Sequence, residues 1–226
     1  MARDLQKKKE VSKLKILKSA AQLFLEQGYQ KTTMTDICKN AEIDRNQVFY
    51  IFGDKESVLA ELVGFVFERQ FDEASKMLAG KTDDPILFYA AETTLQLYMA
   101  ESSEQMREMY TTSYSLPKPS EVVYQTITGK LERIFKQHLP HLETKDFYEL
   151  EIASGGIMRG YLSVPCDMYF TMDRKVKRFL ETTFLVYRVS DEKIEECIRF
   201  VSQFDYEKIA KTTVNSLSEY FEKSIK

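Results

Sequence analysis

The chain has 226 residues, 43% hydrophobic and 30% charged, with a net charge of −3. That is the balance of an ordinary globular protein of one large domain or two smaller ones, and no apolar run nears the ~20 residues needed to span a bilayer. The charged opening stretch MARDLQKKKE lacks the apolar centre of a signal peptide, so a cytoplasmic protein without a membrane partner is expected.

The composition favours helices, with 15 Phe, 13 Tyr and 9 Met against 8 Gly and 5 Pro. In chain order, Leu14, Leu17, Ala21 and Phe24 mark one face of a helix over 11–27, which Gly28 ends as a left-handed cap. Lys7–Lys8–Lys9, before it, reads as a disordered arm. Thr33, three residues before Asp36, opens a short helix to about Asn40. After a turn at 41–43, Asp44 and Gln47 open a second short helix to about Ile51, with Val48 and Phe52 inward. Gly53 breaks it, and Asp54 caps a long helix to about Ala79. Asp84–Pro85 starts a helix to about Ala100, and Ser102 with Gln105 starts another to about Tyr114. The LPKP stretch at 116–119 reads as a break, with Ser120 capping a helix over 121–138. Thr144 caps a helix to about Val164, and three more follow near 173–188, 191–203 and 205–224. The expected fold is all-α.

Charge is divided unevenly along this chain. Residues 1–56 hold 11 Lys/Arg and 8 Asp/Glu, a net of +3, and the remainder is acidic. A basic front on an acidic body suits contact with phosphates through the front alone.

Two short helices joined by a tight turn, behind a third, form a helix-turn-helix at about 33–52. Its second helix offers Arg45, Asn46 and Gln47 to base edges in a major groove. Arginine matches guanine O6/N7, and asparagine or glutamine matches adenine N6/N7. Thr33 lies at a helix N-terminus, where a phosphate is favoured, and Lys55 offers its charge at the next.

Residues 13–60 resemble the DNA-binding region of the TetR family of transcriptional regulators. Ala20–Ala21–Phe24, Gly28–Tyr29, Thr32–Thr33, Asp36–Ile37–Ala41 and Phe52–Lys55–Glu56 carry the resemblance. It implies a DNA-binding head over 1–53 and a helical ligand-binding and dimerisation body over 54–226. It further implies a homodimeric repressor that binds a palindromic operator on double-stranded DNA and is released by a small molecule. Three departures stand out. Glu42 occupies the turn where the family usually has glycine. Asn46 and Gln47 stand where glycine and threonine are frequent. Phe49 and Ile51 replace the usual tyrosine and histidine, leaving Tyr50 as the ring that carries a hydroxyl for phosphate.

The body is rich in Tyr and Met, a mixture suited to an aromatic or amphipathic ligand. The expected lining is Tyr98, Met99, Met106, Tyr110, Tyr114, Tyr124, Met158 and Tyr161. Helical cores use the same residues. No catalytic constellation, metal set or cofactor motif stands out: His138 and His141 flank Pro140 without further ligands, and Cys38, Cys166 and Cys197 are scattered. Gly155, Gly156 and Gly160 read as a packing or dimer surface, and the helices over 144–164 and 205–222 as partners for a second copy. An all-helical small-molecule-binding protein or enzyme, or an activator, is the alternative.

Overall fold

A computed structural model of the chain describes residues 2–224, and side chains from 6 to 216. Among the described residues there are eleven helices and no strand. The head comprises α1 (Ala2–Gln27), α2 (Met34–Ala41) and α3 (Arg45–Phe52). The body comprises α4 (Lys55–Leu78), α5 (Pro85–Glu101), α6 (Glu104–Ser113), α7 (Pro117–Phe135), α8 (Thr144–Ser163), α9 (Met172–Val186), α10 (Asp191–Val201) and α11 (Tyr206–Ser224).

Capping chemistry sets most boundaries. Thr33 and Asp36 form the reciprocal box of α2, Asp44 caps α3 through the Asn46 N–H, and Asp54 caps α4 through Ser57. Asp84 caps α5 ahead of Pro85. Two starts shift by one residue: Ser103, not Ser102, caps α6, and Glu143 with Asp146 boxes α8 in place of Thr144. The proline stretch is not a break but a beginning, because Pro117 fits the first turn, where its missing N–H has no ladder partner. Lys7–Lys8–Lys9 is no disordered arm either. With no Gly or Pro to stop it, α1 extends back through these residues and lies beside α3.

Helix α5 is the pillar of the body. It packs against α4, α6, α7, α9, α10 and α11, and its residues are buried nearly all round. Helices α4, α7 and α8 form a layer on one side, with α9 and α6 against α8. Helix α11 lies on α5, α4 and α1, where Tyr206, Ala210 and Thr213 are buried. Its apolar face is thus buried within the chain as far as Thr213, and the rest of the stretch expected to meet a second copy lies beyond the described side chains. Helices α8 and α9 pack on each other and keep Ile152 and Leu185 exposed.

Glu42 closes α2 in the left-handed region, at φ 54°. A side chain is disfavoured there by ~1 kcal/mol or more. Glu42→Gly is expected to raise stability by about 0.5–1 kcal/mol in urea denaturation at unchanged m-value, the gain reduced by the greater freedom of glycine in the unfolded chain.

Candidate functional site

Helix α3 is anchored by one fully buried side chain, Val48, with Ile51 and Phe52 half-buried. The rest of its surface is open: Arg45, Asn46 and Gln47 are exposed, and Tyr50 is 79% exposed. The Arg45 guanidinium lies 5.2 Å from the Phe49 ring centre, and the Lys9 ammonium 5.3 Å from that of Tyr50. Gln47 donates to the Ser12 hydroxyl at 2.9 Å. The extended start of α1 thus flanks the exposed face and adds lysines to it.

Thr33 is also exposed, but its hydroxyl donates to Asp36 at 2.6 Å and its N–H donates to the same carboxylate at 2.9 Å. These hydrogen bonds hold Asp36 below the usual carboxylate range. The N–H groups of Met34 and Thr35 remain the donors of that first turn without helical partners.

Lys55 departs from the expectation that it would offer its charge outward. Its Nζ donates to the carbonyls of Tyr29 and Thr32 at 2.7 Å each and lies 4.1 Å from the Tyr29 ring centre. Desolvation lowers its pKa, and burial pushes the Tyr29 hydroxyl up to about 12. The residue fastens α4 to the loop before α2.

Two cavities among the described residues bear on ligand binding, one of them shared with α1. An apolar groove of about 260 Å³ lies between α1, α4 and α6, walled by Leu25, Leu59, Leu62, Val63, Phe67, Met106, Met109 and Tyr110 and rimmed by Lys18, Gln22 and Glu26. A void of about 20 Å³, room for about one water, lies deeper among α4, α5, α7 and α8. Phe67, Phe71, Tyr89, Tyr114, Met158 and Phe179 surround it, together with Glu92 and Glu151, each only 4% exposed.

Neutral donors satisfy one oxygen of each carboxylate. Gln70 Nε2 donates to Glu92, the Tyr110 hydroxyl donates to Gln70 at 2.8 Å, and Ser154 donates to Glu151 at 2.9 Å. Tyr187 completes this chain by donating to Ser154 at 2.7 Å, and Gln96 donates to Tyr114 at 3.0 Å. Among the described residues neither Glu92 nor Glu151 forms an ion pair; nearby Lys130 pairs with Glu68 at 3.2 Å and lies 3.5 Å from the Phe71 ring centre. Burial pushes Glu92 up to about 7 and Glu151 up to about 8.

Met106 and Tyr110 of the expected lining face the groove, and Tyr114 and Met158 the inner void. Met99 is buried against Tyr110, Tyr98 stacks on Tyr206, Tyr124 meets Tyr148 edge-on, and Tyr161 bonds Thr182; these four do not line either cavity. Sequence reading missed Glu92, Glu151 and Gln70. Their signal was there: Glu92 and Gln96 interrupt an otherwise apolar helix, and Glu151, Ser154, Gly155 and Met158 share one face of α8. Gly155 belongs to packing at this void, since a Cβ there would sit 3.3 Å from Tyr124 and 3.4 Å from Tyr114, whereas Gly156 and Gly160 face open space.

Residues 16–62 match the family model of bacterial regulatory proteins, tetR family. The chain is 26% identical over 114 residues to the uncharacterized HTH-type transcriptional regulator YuxN of Bacillus subtilis (strain 168). It is 31% identical over 67 residues to the HTH-type transcriptional regulator HbdR of Aromatoleum sp. (strain CIB). These matches take in 50% and 30% of this chain but only 38% and 29% of the relatives' own lengths. Similar solved structures include RolR in complex with resorcinol, at TM-score 0.67 and 17% identity over 88% of this chain and 97% of that one. Thermus thermophilus FadR, a repressor in complex with lauroyl-CoA, follows at TM-score 0.58 and 17% identity over 78% and 93%. These likenesses establish the fold. Among the described residues no helix is long and apolar enough to cross a membrane.

Lys55→Met is expected to cost about 1–3 kcal/mol of stability, because the Tyr29 and Thr32 carbonyls lose their donor; thermal unfolding and hydrogen exchange in 29–33 measure it. The raised carboxyl groups set a pH dependence. Folded Glu92 and Glu151 hold protons that the unfolded chain has released above about pH 4.5, so their contribution to stability is full below that pH and is lost as pH rises to about 7 and about 8. The melting temperature should fall between pH 5.5 and 8.5, and Glu92→Gln or Glu151→Gln should each flatten that fall.

Proposed function

We propose that the chain is a transcriptional regulator of the TetR kind, a homodimeric repressor released from a palindromic operator by a small molecule. Residues 1–53 form the DNA-binding head and 54–226 the ligand-binding and dimerisation body, acting in the cytoplasm. The observation that carries the reading is α3, held by Val48 and open along the face bearing Arg45, Asn46 and Gln47. These three read bases, and Thr33, Tyr50 and the neighbouring Lys9 meet phosphate. Lys55 positions them.

A single head offers few phosphate contacts, so affinity requires two heads about 34 Å apart on one DNA face. The α8–α9 pair, with Ile152 and Leu185 uncovered, is the surface proposed for the second copy, in place of α11. The fold neighbours hold an aromatic diol and a fatty-acyl thioester, which supports a body that takes an aromatic or amphipathic compound. Side chains of the body tie it to the head. Glu108 of α6 accepts from the Gln30 N–H at 2.7 Å beside Gly28, Lys55 of α4 donates to the Tyr29 and Thr32 carbonyls, and Glu61 of α4 pairs with Lys13 at 2.5 Å. A ligand that prefers the DNA-incompetent pose moves the heads through these contacts; equal affinity for both poses would move nothing.

The test begins with selection of an operator from random duplex DNA, followed by gel shifts. Arg45→Ala should lose about 1–3 kcal/mol and relax one base-pair preference. Tyr50→Phe should weaken all sequences alike with little change in salt slope. Sedimentation should give a dimer that binds the palindrome far more tightly than a half-site. A monomer binding both equally refutes the dimer, and failure to select any sequence refutes the regulator.

A further inference from the structure

The two cavities are halves of one site. Phe67 lines both, and Tyr110, which walls the groove, sends its hydroxyl to Gln70, whose amide donates to Glu92 in the inner void. One ring and one amide therefore separate an apolar groove of about 260 Å³ from two buried carboxylates. The inner void is too small for anything beyond about one water, so an occupant that reaches the carboxylates must displace lining side chains such as Phe67. Resting on the reading of this body as the ligand-binding part, we infer that its ligand is an amphipathic organic cation. The apolar part lies in the groove, and the ammonium lies among Glu92, Glu151 and the surrounding aromatic rings.

Charge complementarity selects the cation. Two carboxyl groups sit in a buried, aromatic-lined interior with amide and hydroxyl donors but no ion pair among the described residues, although the Lys130 charge in the same lining acts on Glu92 at longer range. A buried carboxylate without a counter-ion is unfavourable when ionised, and an ammonium brought between the two supplies that counter-ion. The rings of Tyr89 and Tyr114 add cation–π attraction strengthened by desolvation, while Phe71 is already taken by Lys130 and Phe88. Lys130 is held by Glu68 and the Phe71 ring at the rim, and the other titratable groups facing the void are tyrosines that burial keeps neutral. An anionic head would gain nothing from two carboxyl groups, and a neutral hydroxyl would leave them protonated with no charge to attract it. A permanent cation, by favouring ionised Glu92 and Glu151, must expel protons as it binds. Occupying the groove also presses on α1, whose Leu25 and Lys18 form its outer wall, so this one ligand touches the head directly.

The experiment is calorimetric titration of the full chain with three compounds of one tail: octyltrimethylammonium, octanol and octanoate. Octyltrimethylammonium should bind at least tenfold more tightly than octanol, with octanoate weakest. Titrations in two buffers of different ionisation enthalpy should show net proton release near pH 7. Glu92→Gln and Glu151→Gln should each lower affinity for the cation tenfold or more and leave octanol unchanged, with folding checked by circular dichroism. Met106→Trp, which fills the groove, should weaken both compounds that bind. Octanol equal to or tighter than the cation, absence of proton release, or glutamine variants that keep the cation preference would each overturn the inference. Gel shifts on the selected operator separate the two ideas. Operator binding without cation preference sinks the ligand class alone, and cation binding without any selected operator sinks the regulator alone.

Discussion

Everything the head presents depends on how the first turn of α4 is fastened. The Lys55 ammonium does this by binding two backbone carbonyls of the loop before α2 and covering the Tyr29 ring. An eight-residue helix such as α3 is marginal by itself, and this one inserts only Val48 completely into the core. Its direction is therefore inherited from the α1–α2 loop on one side and α4 on the other. The same N-terminus of α4 carries Asp54, which caps the helix and receives Lys118 from α7. Body and head are joined by the pieces that shape the head itself.

Helix α4 also runs inward. Gln70 lies fifteen residues beyond Lys55, about 22 Å along the axis, and donates to Glu92 on the central pillar. Helix α6 repeats the connection over a shorter path, with Glu108 on the Gln30 N–H and Tyr110, two residues later, on Gln70. A shift in Gln70 or Tyr110 bears on the head as well as the body, because α4 and α6 each pack on α1 in addition to their neighbours in the body.

Much of this was legible in the sequence, for identifiable reasons. Helix starts are set by chemistry within three or four residues, so Thr33, Asp44, Asp54 and Asp84 announced themselves. Ser102 and Thr144 were misplaced by one position because the neighbouring Ser103 and Glu143 cap equally well. Lys55 could not be oriented, since its acceptors are 23 and 26 residues earlier and become neighbours only in the fold. Tyr and Met frequency identified a body with cavities but not which rings face them: Tyr98 and Tyr161 have the same composition signal as Tyr110 and Tyr114 and point elsewhere. The sharper clue was a charge in the wrong place, Glu92 in the middle of an apolar helix.

That charge has a mechanical consequence. A core of this shape filled by neutral side chains would be more stable at neutral pH, because each buried carboxyl either keeps a proton against solution or bears an uncompensated charge. The instability is not spread through the body but concentrated where α4, α5, α7 and α8 meet. Helix α4 runs from there to the head. Linkage then runs both ways: whatever occupant compensates the interior charge and loosens the heads from DNA must itself bind DNA-held protein more weakly, by the same factor. On the proposed function, operator occupancy and the ionisation of Glu92 and Glu151 are readouts of one equilibrium.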